Sequence, residues 1–472
     1  MSSSVTKDSD GFISNVVDLT DKLEDADLQE RESKAKHSEL IQSSYEVMVT
    51  LADQQADPNS PLYSVKTFEE VGLTPELLKG LYAMGFTRPS KIQERALPLL
   101  LAEPPKNMIG QSQSGTGKTA AFVLAMLSRV DTTKAVPQAI CLAPVRELAR
   151  QIMSVVQQMG QFTNITTAYA IPEAENGSKI TQHVVVGTPG KMQDLIRKKI
   201  LDPTTVKIFV LDEADNMLDQ QGLGDQTLRV KNFMPKFCQI LLFSATFPDV
   251  VRKFAIKFAP NSNQIALKKE ELSVEGIKQF LLDCKNEAEK FDVLVRLYEL
   301  LTIGQSIIFC KRRETADHIA ARMVAEGHQV ASLHGSKDVK ERDQIIDDFR
   351  DGKSKVLITT NVIARGIDIL QVNMVVNYDM PMLHGDSKVD IETYLHRIGR
   401  TGRFGRKGIS VNFVHNTFTW QLIEDIEREL HVTIVKVPTS DVDEMDKVGS
   451  HCIIATRETE LSQTLRNALK AT

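Results

Sequence analysis

The sequence predicts an α/β protein of two tandem domains, each built on a parallel sheet. From Tyr63 onward, short apolar or β-branched runs (NMIG, QAICLAP, HVVVGTPG, KIFVLDEAD, QILLFSAT) alternate with stretches of helical period. After Leu267 the charged stretch KKEELSVEGIKQ interrupts the pattern, and a second set follows: QSIIFC, HQVASLHG, KVLITTN, MVVNYD and GISVNFV. Several runs end directly in small or charged residues, as expected where the carboxyl ends of parallel strands carry a ligand site.

Boundaries follow from these shifts. Residues 1–45 read as a disordered acidic arm, because Ile13, Val16, Val17, Leu19, Leu23 and Leu28 are too few to bury a core. Residues 46–65 are a lead-in segment, 66–268 the first domain, 269–276 a linker, 277–448 the second domain and 449–472 a C-terminal tail. The 472 residues are 42% hydrophobic and 25% charged, and no stretch approaches the roughly 18 uncharged apolar residues of a membrane span. The start, MSSSVTKDSDGFIS, lacks the basic and apolar regions of a leader peptide, so a cytosolic or nuclear chain with no membrane association is expected. Cys141, Cys238, Cys284, Cys310 and Cys452 are odd in number and far apart, which predicts packing thiols rather than disulfides or a zinc site.

The net charge of −5 argues against a broad nucleic-acid-binding field. Residues 1–46 hold eleven acids and five bases, leaving 52 bases against 51 acids elsewhere. Any nucleic-acid contact must therefore come from a few placed groups and backbone amides.

The sharpest signal is Ser112-Gln-Ser-Gly-Thr-Gly-Lys-Thr119, between an apolar run and the helical AAFVLAMLSRV. In this loop, Ser114, Gly115, Thr116 and Gly117 turn backbone amides toward phosphate, Lys118 neutralises it, and the Thr119 hydroxyl can ligate Mg²⁺. Downstream, Asp212 and Glu213 close the run KIFVL. Asp212 would hold the metal through water, and Glu213 would orient or deprotonate the attacking water. An acidic pair alone is common in loops, so its weight comes from the Lys118 loop upstream.

Asp212-Glu-Ala-Asp215 also resembles the signature of the DEAD-box ATP-dependent RNA helicases, and further motifs share the likeness. The resemblance implies two tandem RecA-like domains joined by a short linker, with ATP as substrate. Gly85-Phe-Thr-Arg-Pro-Ser-Lys-Ile-Gln93 resembles the adenine-reading motif, with Gln93 pairing with the base and Phe68 stacking on it. Without the family, Gln93 reads as an ordinary helix residue and Phe68 as core. Pro144-Val-Arg-Glu-Leu-Ala149 and Thr188-Pro-Gly-Lys191 resemble RNA-backbone motifs, which gives Arg146, Thr188 and Gly190 RNA contacts; Val145 and Lys191 depart from the usual Thr and Arg. Ser244-Ala-Thr246 resembles the element coupling the nucleotide and RNA sites.

The second domain has no Lys-bearing phosphate loop in the sequence and is expected to complete the first domain's site. His396-Arg-Ile-Gly-Arg-Thr-Gly-Arg403 and Thr359-Thr-Asn-Val-Ile-Ala-Arg-Gly-Ile-Asp368 resemble the family's last two motifs. The likeness makes Arg400 and Arg403 arginine fingers, assigns Gly366 and Asp368 to the nucleotide, and Gly335, Arg342 and Thr359 to RNA; Val339 stands where a Gln is usual. By itself, an Arg pair three apart reads as a solvated basic face.

Within the family the chain is most similar to the messenger-RNA export helicases of the nuclear pore, on the runs Leu51–Tyr63, Asn216–Asp225 and Val437-Pro-Thr439. That likeness implies single-stranded RNA or messenger ribonucleoprotein as substrate, a cytoplasmic-face nucleoporin, and an export factor that carries inositol hexakisphosphate, the latter reaching the chain only through that activator. A monomer in cytoplasm and nucleus, at the pore's cytoplasmic face, is expected. Val442 and the tail SHCIIATRETELSQTLRNALKAT depart from the subgroup. Rival readings are a DNA translocase, an ATP-gated RNA clamp with little turnover, and a helicase acting in translation.

Overall fold

The computed structural model describes residues 47–52, 64–111, 116–174, 177–219, 222–267, 276–300, 304–361, 372–383, 388–402 and 407–439, with 441, 445 and 448. The acidic arm, most of the linker and the C-terminal tail lie outside them, as do Ser114, Gly115, Gly366, Asp368 and Arg403. Among the described residues no helix is long and apolar enough to cross a membrane.

The first domain carries eight strands: β1 (Val47–Thr50), β2 (Met108–Gln111), β3 (Ala139–Leu142), β4 (Thr167–Ala170), β5 (Val184–Gly187), β6 (Ile208–Leu211), β7 (Gln239–Ser244) and β8 (Asn263–Leu267). They lie in the order β1-β8-β2-β7-β6-β3-β5-β4, all parallel except β1, which pairs antiparallel with β8. The continuous apolar runs follow from burial of both sheet faces. In β6, Ile208 and Val210 pack into one core cluster while Phe209 and Leu211 pack into the other, as a two-residue period requires.

Among the described residues eight α-helices flank this sheet: α1 (Pro75–Ala83), α2 (Lys91–Leu101), α3 (Lys118–Ser128), α4 (Arg146–Met159), α5 (Pro189–Arg197), α6 (Ala214–Asp219), α7 (Leu223–Asn232) and α8 (Asp249–Phe258). α4 shows why they dock. Its buried Leu148, Ala149, Ile152, Met153 and Val156 recur at three- and four-residue spacing, leaving the polar positions outward.

The second domain has strands β9 (Ile277–Asp283), β10 (Gln305–Phe309), β11 (Val330–Leu333), β12 (Val356–Thr359), β13 (Val372–Asn377), β14 (Gly408–Val414) and β15 (Val435–Pro438). Its helices are α9 (Glu289–Leu300), α10 (Arg313–Ala325), α11 (Val339–Arg350), α12 (Ile391–Ile398) and α13 (Thr417–Leu430). The sheet order is β11-β12-β10-β13-β14-β9-β15, wholly parallel. Read from the β15 edge, it repeats the first sheet from β8 onward, strand for strand in chain order. Met445 and Val448 are buried in the second domain's core.

One organisational expectation needs correction. The lead-in segment is not outside the first domain, since Val47–Thr50 forms its edge strand and Leu51 joins its core. The described cysteines, Cys141, Cys238, Cys284 and Cys310, are free and buried. Burial pushes the Cys238 and Cys284 thiols up to about 12, so they are unreactive packing groups.

Candidate functional site

The carboxyl end of the first sheet gathers the chemistry. β2 leads through the phosphate loop into α3, which starts at Lys118. Gly117 precedes that helix with φ 97°, a left-handed conformation that only glycine adopts cheaply. Gly110, inside β2, lies under the Phe243 ring, and a Cβ there would come within 2.6 Å of it.

The loop is braced from α2. Ser90 caps that helix, and its hydroxyl donates to the Thr116 carbonyl at 2.7 Å. Gln93 donates from Nε2 to the Gly117 carbonyl at 3.0 Å, while its Oε1 accepts from the Ser90 amide at 2.9 Å. The fully buried Gln93 thus ties helix cap to phosphate loop; a buried amide takes the backbone partners at hand. Phe68 is fully buried within the first domain's core cluster.

β6 delivers Asp212 and Glu213. Asp212 is 5% exposed, and its Oδ1 accepts the Glu213 amide at 3.0 Å. Burial first, then the charge of Glu213, push its carboxyl up to about 7, against the opposing pull of Lys118. A buried carboxylate following β6, Asp212, and a hydroxyl in the first turn of α3, Thr119, are hard-oxygen donors of the kind that Mg²⁺ takes. Glu213 sits at φ 50°, a strained backbone for a side chain with a Cβ, and strain of this kind clusters at working sites. Asn216 holds it there by donating from Nδ2 to Glu213 Oε2 at 2.6 Å.

Asp215 joins the two domains. Its amide donates to the Ser244 hydroxyl at 3.2 Å, and its Oδ2 accepts from the Thr246 amide and hydroxyl at 3.1 and 2.9 Å. The Thr246 hydroxyl also contacts Glu392 of α12, and His396 of the same helix approaches Asp215 at 3.4 Å. Burial works against charge on Asp215, but the neighbouring His396 ring and the hydrogen bonds from Thr246 hold its carboxyl well below the usual range. One turn beyond His396, Arg400 is 4% exposed and donates from Nε to the His396 carbonyl at 3.0 Å.

The expected RNA residues divide. Thr188 precedes α5, Gly190 lies in its first turn, and Gly335 is exposed beyond β11. Three others are engaged with partners within the protein. Arg146 is 7% exposed and meets Asp343 across the cleft, with Glu147 and Glu173 on its own side at 2.9 and 3.6 Å. Arg342 answers with a 3.5 Å pair to Glu147. A guanidinium drawn into a cleft takes carboxylates as partners, and these two take each other's neighbours. Thr359 is 1% exposed, and its hydroxyl donates to the Leu333 carbonyl at 2.7 Å, satisfying itself inside the sheet end. Sequence reasoning missed Ser90, Asn216, Glu392, Asp343 and Glu147; only Ser90 carried a local signal, the helix cap three residues before Gln93.

Both halves match known families: the DEAD/DEAH box helicase profile covers residues 90–254, and the helicase conserved C-terminal domain covers 289–405. The "ATP-dependent RNA helicase DBP5" of Mycosarcoma maydis is 64% identical over 410 residues, 87% of this chain and 90% of that protein. The chain belongs to the DEAD-box helicases. It is an ATP-dependent RNA helicase with two RecA-like domains. The structure of S. cerevisiae Dbp5 bound to RNA and ADP BeF3 matches it with a TM-score of 0.79 at 57% identity, covering 82% of this chain and 100% of that one. A variant of S. cerevisiae Dbp5 bound to Nup159, a Gle1 variant, IP6 and ADP matches with a TM-score of 0.62 at 55% identity, over 81% and 100% of the two chains. Taken as a whole, the chain superposes better on the RNA-bound relative than on that complex with Nup159 and Gle1.

Proposed function

We propose that this helicase remodels RNA or RNA–protein complexes by ATP-driven closure of its two domains, in messenger-RNA export at the cytoplasmic face of the nuclear pore. The observation that carries closure is the Asp215–Thr246 junction with Glu392 and His396, where residues beside the nucleotide site meet the helix leading to Arg400. The solved complexes of the yeast relative support the partners: RNA, a nucleoporin, and Gle1 with inositol hexakisphosphate, the last acting through Gle1. Cytoplasm and nucleus are the proposed compartments.

Lys118 and the loop amides bind the ATP phosphates. Thr119 and Asp212 would hold Mg²⁺, which when bound supplies positive charge at the β- and γ-phosphates. Glu213, held by Asn216, takes the proton of the attacking water or orients it. Closure brings Arg400 toward charge that develops on the transferred phosphoryl group, and Arg403 is proposed to act with it. Ser244 and Thr246 couple this site to the RNA face, where Thr188, Gly190 and Gly335 offer backbone contacts. ATP and RNA both favour the closed form, so their affinities rise together.

The test is ATP hydrolysis by the purified chain with single-stranded RNA, with equal DNA as control, at fixed salt. Strong stimulation by RNA that is lost in Lys118→Ala is expected. Tight RNA binding without turnover would replace the remodelling enzyme with an ATP-gated clamp.

A further inference from the structure

The strand-for-strand repeat between the two sheets locates, in the second domain, the counterparts of the phosphate-binding lysine and the metal-holding aspartate. β9 corresponds to β2 and β13 to β6, each pair separated by one strand, β14 or β7. In the first domain the loop after β2 opens α3 at Lys118, and Asp212 follows β6. In the second, the loop after β9 opens α9, whose second residue is Lys290, and Asp379 lies just beyond β13. Here the two side chains meet directly, with Lys290 Nζ 2.9 Å from Asp379 Oδ1.

We infer that Lys290 is a positioning residue for ATP hydrolysis: paired with Asp379, it fills the second domain's counterpart of the phosphate site and anchors the helix that leads to Arg400. The Lys290 side chain is 2% exposed, lies 4.2 Å above the Tyr378 ring, and makes a second ion pair with Glu287 at 3.0 Å. A nearly dry ammonium is held in place only by such partners. Asp379 spreads the constraint. Its Oδ2 accepts the Lys311 amide at 2.8 Å, and its backbone carbonyl accepts from Arg397 Nη1 at 2.6 Å.

Arg397 belongs to α12 and is 1% exposed; its other hydrogen bonds go to Asn377 at 3.0 Å and Asn361 at 3.0 Å. The Arg400 amide donates to the Arg397 carbonyl at 3.1 Å, so displacement of Arg397 moves Arg400. The line runs from the start of α9, through the end of β13, to the far end of α12.

This inference rests on the proposed role of Arg400, so Arg400→Ala accompanies the test. The assay is RNA-stimulated hydrolysis by the full chain, with thermal unfolding of each variant. Lys290→Met keeps the length of the stem and removes the charge; it is expected to lower kcat by about tenfold, with KM for ATP within about twofold, since misplacement far from the chemistry acts on the transition state. Lys290→Met/Asp379→Asn removes the buried unpaired carboxylate and should recover most of the lost Tm while kcat stays low. If kcat is unchanged in Lys290→Met, or recovers together with Tm in the double variant, the pair is purely structural and the inference is overturned, with the functional reading intact. If Arg400→Ala retains the wild-type rate, the functional reading and this inference both fall.

Discussion

Arg146 and Asp343, 197 positions apart in sequence, form an ion pair that ties the first domain to the second. Their chain neighbours repeat the bond with opposite polarity, because Arg342 faces Glu147, and Arg150 adds a 2.5 Å contact to Asp343. The cleft is thus bridged on one side by this charge cluster and on the other by Asp215, Thr246, Glu392 and His396.

Removing Asp343 leaves two guanidinium groups without their acid across the cleft. Asp343→Ala should shift the open–closed balance toward open by about 1–3 kcal/mol, a factor of roughly 5 to 150. Fluorescence transfer between labels on the two domains, with RNA and a non-hydrolysable nucleotide, measures it. The exchange Arg146→Asp/Asp343→Arg should recover part of the closed population, and no change in either variant would show the pair to be energetically idle.

Asn216 bears on the rate alone. Asn216→Ala frees Glu213 from its hydrogen bond, so kcat should fall by about 10- to 100-fold while KM for ATP stays nearly constant. Steady-state kinetics at saturating RNA separates the two parameters.

Gln93 has a structural duty even without nucleotide. Gln93→Ala strands the Ser90 amide and the Gly117 carbonyl, a loss of about 1–3 kcal/mol that lowers Tm by several degrees. Differential scanning calorimetry of the nucleotide-free chain is the measurement. An unchanged Tm would return Gln93 to a role with the base only.

Asp212 makes stability depend on pH in a definite direction. Its carboxyl, raised by burial and then by Glu213 from the ordinary 3.8 to about 7, binds a proton more tightly in the folded chain than in the unfolded one. That contribution is fully present below about pH 4 and is lost as pH rises through about 7. Between pH 5.5 and 8, wild-type Tm should therefore fall relative to Asp212→Asn in nucleotide-free, metal-free buffer. Parallel curves would show that Asp212 titrates normally.

What the sequence made legible was local. The Lys118 loop and the Asp212–Glu213 pair are short runs whose strand-to-helix context lies beside them, and both stand at the carboxyl end of the sheet. Partners from the other domain were out of reach: nothing near Arg146 announces Asp343, and nothing near Thr246 announces Glu392. The burial of Phe68 and Thr359 was likewise decided by neighbours in space, an apolar cluster for one and the Leu333 carbonyl for the other. Nor does anything near Lys290 in the sequence announce Asp379, which the fold sets beside it.

The antiparallel edge strand has a practical consequence for anyone shortening this protein. Val47 is the register partner of Leu267, the last residue of the first sheet before the chain crosses toward the second domain. A truncation ending at residue 45 spares that pairing; one ending at residue 51 strips the edge from β8 and releases the root of the crossing. Two shortened proteins differing by six residues would then differ in how firmly the crossing is rooted, and their hydrolysis rates should not be compared as though only the acidic arm had been lost.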